Sequence, residues 1–124
     1  MAKNRSNTQG FHSFSALKTA LGSPGQGMAW HHIVEQSQIG RRANFAPERI
    51  HNTYNIVSIP TGRNSIHEKI SSYYSSKQFF TAGMIVRDWL ATKSFEFQLL
   101  FGKMILEQYG ELITTDTGYE FRAN

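Results

Sequence analysis

A chain of 124 residues can build one domain around a modest core, and 40% hydrophobic with 18% charged residues fits a folded globular protein. No run of about 18 apolar residues occurs, so no helical membrane span is expected. Cysteine is absent, which excludes disulfides and thiolate metal sites and leaves His, Asp, Glu, Asn or water as metal ligands. The net charge of +4 is uneven: residues 1–93 carry eleven Lys and Arg against four Asp and Glu, and residues 94–124 carry two against five. A basic body suits a polyanion such as nucleic acid; ordinary solubility charge reads the same way.

Residues 1–12 are polar, lack the apolar stretch of a signal peptide and are expected to be a disordered lead-in. Ser13 to Gly22 reads as a short helix, with Ser13 as cap, Phe14, Leu17 and Leu21 at helical spacing and Gly22 as terminator. The turn Ser23-Pro24-Gly25-Gln26-Gly27 leads into a strand from Met28 to Val34. Residues 35–44 are polar and suggest a loop or loose helix, and Ala46 to Ile50 suggests one helical turn with Pro47 near its start. A turn at Asn52-Thr53-Tyr54 precedes a β-branched strand, Asn55 to Ile59, stopped by Pro60. A helix is expected from about Arg63 to Tyr74, with Ile66, Ile70, Tyr73 and Tyr74 as its apolar stripe and Asn64, His67, Glu68 and Ser71 on a neighbouring face. Further helices are expected over about 82–93, capped by Thr81, and over 95–109, ending at Gly110. The alternation in Tyr119-Glu120-Phe121 leaves residues 111–124 unassigned.

The chemistry concentrates in Trp30-His31-His32-Ile33-Val34-Glu35-Gln36. A phosphodiester hydrolase needs a base for water, a divalent cation to stabilise charge and a rigid frame. A neutral imidazole suits the first role and an imidazole ligand the second. Adjacent side chains on a regular strand point to opposite faces, so His31 and His32 can share a site only if the strand ends or bulges there. Alternatively, one of the two is structural.

Three ordered blocks carry a resemblance: His31-His32-Ile33-Val34-Glu35-Gln36, His51-Asn52-Thr53-Tyr54-Asn55-Ile56-Val57 and Ser65-Ile66-His67-Glu68-Lys69-Ile70-Ser71. Together they resemble the HNH/endonuclease VII superfamily, and most nearly the WHH-like toxin domains at the C-termini of bacterial polymorphic, Rhs-type toxins. The likeness extends over roughly residues 28–110. It implies an α+β fold: a ββα-metal core over about 28–77, its short two-stranded hairpin-like pair embedded in several helices, with a helical C-terminal part over 81–110, all within one domain from residue 13 to 124.

By the same resemblance, His32 matches the general base and Asn55 the central Asn that ties the ββ connection and holds the base. His31 matches a metal ligand on the first strand, and His67 one on the helix. The residue nine positions after Asn55, where many relatives place a helix ligand, is Asn64; either Asn64 is an oxygen ligand or His67 takes over. Glu35 and His51 are candidates for metal or supporting contacts, and Arg63, Arg41 and Arg42 for phosphate contacts. The implied activity is a divalent-metal-dependent endonuclease, using Mg, Mn, Ni or Zn, that cleaves DNA without sequence specificity, with RNA as the alternative substrate. The implied setting is an antibacterial toxin domain, the tail of a larger carrier, delivered into the target-cell cytoplasm and matched by a cognate immunity protein. A non-catalytic nucleic-acid-binding module on the same frame is the alternative, and a structural interaction domain a third.

Overall fold

The computed structural model describes residues 7–41 and 43–124, and the fold is a small mixed α+β domain. Among the described residues there are five α-helices and two antiparallel two-stranded sheets. In chain order these are α1 (Phe14–Leu21), β1 (Met28–His32), α2 (Pro47–Ile50), β2 (Ile56–Pro60), α3 (Ile66–Tyr74), α4 (Val86–Leu90), α5 (Phe95–Glu107), β3 (Gly110–Thr115) and β4 (Gly118–Ala123). No helix is long and apolar enough to cross a membrane among the described residues.

β1 and β2 pair with His31 opposite Val57 and His32 opposite Ile56. β1 stops at His32, where the chain bends, although the Ile33 N–H still reaches the Asn55 carbonyl at 2.8 Å. The larger core cluster joins Ile33, Val57 and Ile59 to Ile70 and Tyr74 of α3, Val86 and Leu90 of α4 and Ile105 and Leu106 of α5. Ile66 and Tyr73 complete the expected α3 stripe at the edge of this cluster. A second cluster packs Val34, Ile50 and Phe95 together.

Several elements depart from expectation for local reasons. The lead-in expected over residues 1–12 has structure at its end: Gly10 bridges Asn52, the Phe11 N–H reaches the His51 carbonyl, and the Thr53 N–H reaches the Gln9 carbonyl. Residues 1–6 lie outside the described residues. α3 starts at Ile66 rather than near Arg63, because Gly62 and Asn64 take positive φ (113° and 61°), which no helix accommodates. Ser65 is its cap, accepting from the Glu68 N–H at 3.2 Å, while the Glu68 carboxylate accepts from the Asn64 N–H at 2.7 Å.

The helix expected over 82–93 shrinks to Val86–Leu90. Ala82 and Gly83 also have positive φ, and Thr81 caps a turn instead, its hydroxyl donating to the Gln78 carbonyl and accepting from the Gln78 N–H. A bridge between Lys77 and Ile85 closes this loop. Residues 110–123, of which 111–123 have no assignment from sequence, form a hairpin whose Leu112, Tyr119 and Phe121 cover the larger core cluster.

Candidate active site

Both adjacent histidines are buried, and they face different neighbours, as strand alternation requires. The His31 ring meets His67 of α3 edge-on, with centroids 5.7 Å apart. The His32 ring meets Phe14 of α1 at 4.6 Å and His51, the residue that ends α2, at 5.2 Å. Because β1 ends at His32, both rings still line one cleft of about 600 Å³ between α1, β1 and α3. Its walls include Phe14, Lys18, Trp30, Glu35, His67, Ser71 and Arg87. α1 is tied to β1 by Trp30, whose indole N–H donates to the Gly22 carbonyl at 3.0 Å.

Asn55 does not reach the cleft; it holds the chain that shapes it. Its side chain is fully buried, its Oδ1 accepts from the Val34 N–H at 2.8 Å, and its Nδ2 donates to the carbonyls of Val34 and Ile50, each at 3.0 Å. One amide therefore clasps the segment after β1 to the end of α2, immediately before β2 begins.

The two candidate helix ligands separate clearly. His67 lines the cleft beside His31, whereas Asn64 is exposed in the preceding turn, outside the cleft lining. Arg63 is exposed in that same turn and likewise outside the lining. Arg41 pairs with Asp88 at a separate surface, and Arg42 lies outside the described residues. The cations that line the cleft are Lys18 and Arg87, neither of which the sequence singled out. Glu35 is engaged by Arg87 through two bonds, Nε to Oε1 at 2.6 Å and Nη2 to Oε2 at 2.8 Å, and Arg87 also donates to Ser75. No sequence signal joins Glu35 to Arg87 across 52 residues.

Burial dominates the electrostatics. It pulls His31 down to about 3, helped by His67 and then His32. It pulls His32 down to about 3 as well, with His51 adding to the effect. Both rings are therefore neutral near pH 7, with a nitrogen lone pair available to a cation or a proton. The hydrogen bond from Arg87 to Glu35 raises the Arg87 pKa further, so the guanidinium stays charged.

Comparison with protein-family models, curated proteins and solved structures finds no match.

The fit to a metal rests on the donor set. The imidazoles of His31 and His67 lie edge to face at 5.7 Å between centroids, while the carboxylate nearest in sequence, Glu35, is bound to Arg87. Among the described residues no group of three or more His, Asp or Glu gathers as a ready cation site. Two imidazole ligands would suit a borderline cation such as Zn or Ni. They do not suit Mg, which prefers oxygen.

Proposed function

We propose that the chain is a metal-dependent endonuclease that hydrolyses nucleic-acid phosphodiesters, with β1, β2 and α3 serving as a ββα-metal core. One observation carries the reading: His31, His32 and His67 converge on a single cleft, while Asn55 clasps the connection between the two strands. The order strand, strand, helix agrees with the HNH/endonuclease VII resemblance, and the short length of β1 removes the objection that adjacent histidines cannot share a site.

In this reading His31 and His67 hold the cation. When bound, the cation supplies positive charge against the phosphate and the departing oxygen. His32 takes a proton from a water whose oxygen attacks phosphorus, and the bond from phosphorus to the 3′ oxygen breaks, that oxygen gaining a proton from solvent. Lys18, exposed at the cleft wall, draws the phosphate in. The negative phosphate beside His32 counters the effect of burial and makes the imidazole a better base than it is in the free protein. Contacts of this kind are to the backbone and carry no sequence preference. DNA is the expected substrate; RNA is open to the same chemistry, because the route needs no 2′-hydroxyl. The family resemblance adds a setting: a toxin domain carried by a larger protein into a competitor's cytoplasm, with an immunity protein as partner.

Plasmid DNA and RNA incubated with the protein and Mn²⁺, Ni²⁺, Zn²⁺ or Mg²⁺ test this directly. The wild type should cleave with the transition metals, and His32→Ala should lose about 10²- to 10⁴-fold in rate. The two-nitrogen donor set favours one second reading, a non-catalytic nucleic-acid-binding module on the same frame. Intact DNA and RNA under every metal, with salt-sensitive binding retained, would establish that reading instead.

A further inference from the structure

The histidine beside the base has a defined place in the site. We infer that His51 is a positioning residue for His32: its Nδ1 accepts the Nε2–H of His32 and leaves the Nδ1 lone pair of His32 facing the cleft as the proton acceptor. The catalytic half of this statement rests on the nuclease reading above; the hydrogen bond itself does not.

Nε2 of His32 and Nδ1 of His51 lie 3.1 Å apart in a buried setting. A separation of that size between two ring nitrogens requires one to donate and the other to accept, so the two neutral rings share a single proton along this line. Only two arrangements satisfy it. In one, both rings carry their proton on Nε2; in the other, both carry it on Nδ1. Water favours the Nε2–H form of a histidine side chain, so the first arrangement keeps both rings in their intrinsic preference and the second moves both away from it.

The other nitrogen of His32 is then decided by exposure. Among the described residues, Gln38 Oε1 alone is a buried side-chain nitrogen or oxygen without a partner. Nδ1 of His32 is not such an atom, and the residue lines the cleft, which leaves Nδ1 as the nitrogen for a water or phosphate to meet. Which ring nitrogen holds the proton is set by the bond that the other makes, and here His51 makes that bond.

His51 is itself held firmly. Its backbone N–H donates to the Pro47 carbonyl at 2.8 Å, and its own carbonyl accepts from the Phe11 N–H at 2.8 Å. Phe14 packs against both rings, edge-on to His32 and parallel to His51 with a 3° interplanar angle. α1, α2 and the chain before α1 thus converge to fix one imidazole, which fixes the next. During the reaction the water proton moves to His32 Nδ1. The cation that forms keeps its Nε2–H on His51 and later releases the added proton to solvent.

The test combines imidazole ¹⁵N NMR of the full chain with kinetics. In the wild type at neutral pH, His32 should show Nε2 protonated and Nδ1 unprotonated; the reverse assignment overturns the inference. His51→Leu should lower kcat about 10- to 100-fold with KM little changed. His51→Asn, whose side-chain oxygen can stand where Nδ1 stood, should recover most of that loss. An Asn variant that folds and is as slow as the Leu variant also overturns the inference. If the wild type cleaves neither DNA nor RNA, the nuclease reading fails by itself, and the ¹⁵N assignment still decides whether His51 sets the His32 tautomer.

Discussion

Asn55 illustrates how one buried side chain can shape a cleft that it does not line. Replacing it with Ala leaves the Val34 N–H and the carbonyls of Val34 and Ile50 without partners in the interior. We expect a loss of about 2–4 kcal/mol in urea unfolding. Asn55→Asp should be no better, because a carboxylate cannot donate to the two carbonyls. A variant within 0.5 kcal/mol of wild type, on the order of a neutral surface change, would show that the clasp is not needed. Tyr74 offers a second residue-scale test. Burial, with the Glu35 carboxylate beside it, raises its pKa, so the folded state favours the neutral phenol. The unfolded tyrosine ionises near its ordinary value of about 10. Its contribution to stability is therefore complete below pH 10 and is lost as the pH rises above it. Tyr74→Phe should flatten the fall of stability measured between about pH 10 and 11.5; an unchanged slope would refute the assignment.

Short-range chemistry that sequence periodicity overlooks decides the elements around the site. Ser65 and Glu68 cap α3, and the left-handed Asn64 turns the chain before it. This brings His67 and Ser71, one helical turn apart, to the cleft while Asn64 stays outside. α5 supports the opposite side of the same segment through Gly102. A Cβ there would stand 2.6 Å from the Ile33 carbonyl oxygen and 2.7 Å from Ile33 Cγ2. Gly102→Ala gains about 1 kcal/mol of helix propensity, yet the carbonyl oxygen it meets belongs to the backbone one residue after His32 and cannot rotate away. Overpacking of this kind costs about 1–3 kcal/mol. The net change should be destabilising in thermal unfolding, with a perturbed His32 resonance; a higher melting temperature would show that α5 can move off Ile33 freely.

At the scale of the whole molecule, the C-terminal hairpin closes the domain from a direction the sequence did not announce. β4 lies against β2 and against the 3-10 turn Thr53–Asn55, and Gly118 approaches the Thr53 carbonyl so closely that a Cβ would be 2.8 Å away. The turn that carries Asn55 is thus held from both sides. The proposed metal binding belongs to this scale, because a cation held by His31 and His67 would stabilise only the folded state. Zn²⁺ or Ni²⁺ at about 100 times its Kd should add about 2.7 kcal/mol, read as a rise in Tm. Mg²⁺ at the same concentration should add little. His67→Ala, on the half-buried face of α3, should abolish the rise; a shift of equal size in that variant would place the cation elsewhere.

Sequence by itself determined the mixed α+β class, the two strands around His31 and Asn55, the apolar stripe of α3 and the absence of thiol chemistry. The elements follow from periodicity, β-branched residues and turn punctuation, which act over a few neighbours, and the absence of thiol chemistry follows from composition. Tertiary structure alone decided that His67 rather than Asn64 meets His31, that Glu35 is bound by Arg87, that Lys18 lines the cleft and that His51 hydrogen-bonds His32. It also decided the C-terminal hairpin and the loop that replaces the start of the helix expected over 82–93. The contacts that gather the site join residues tens of positions apart, and local pattern holds no record of them. Where local expectation and structure differ, positive-φ residues such as Asn64 and Ala82 fall inside the expected helices, since their backbone conformation depends on what packs around them.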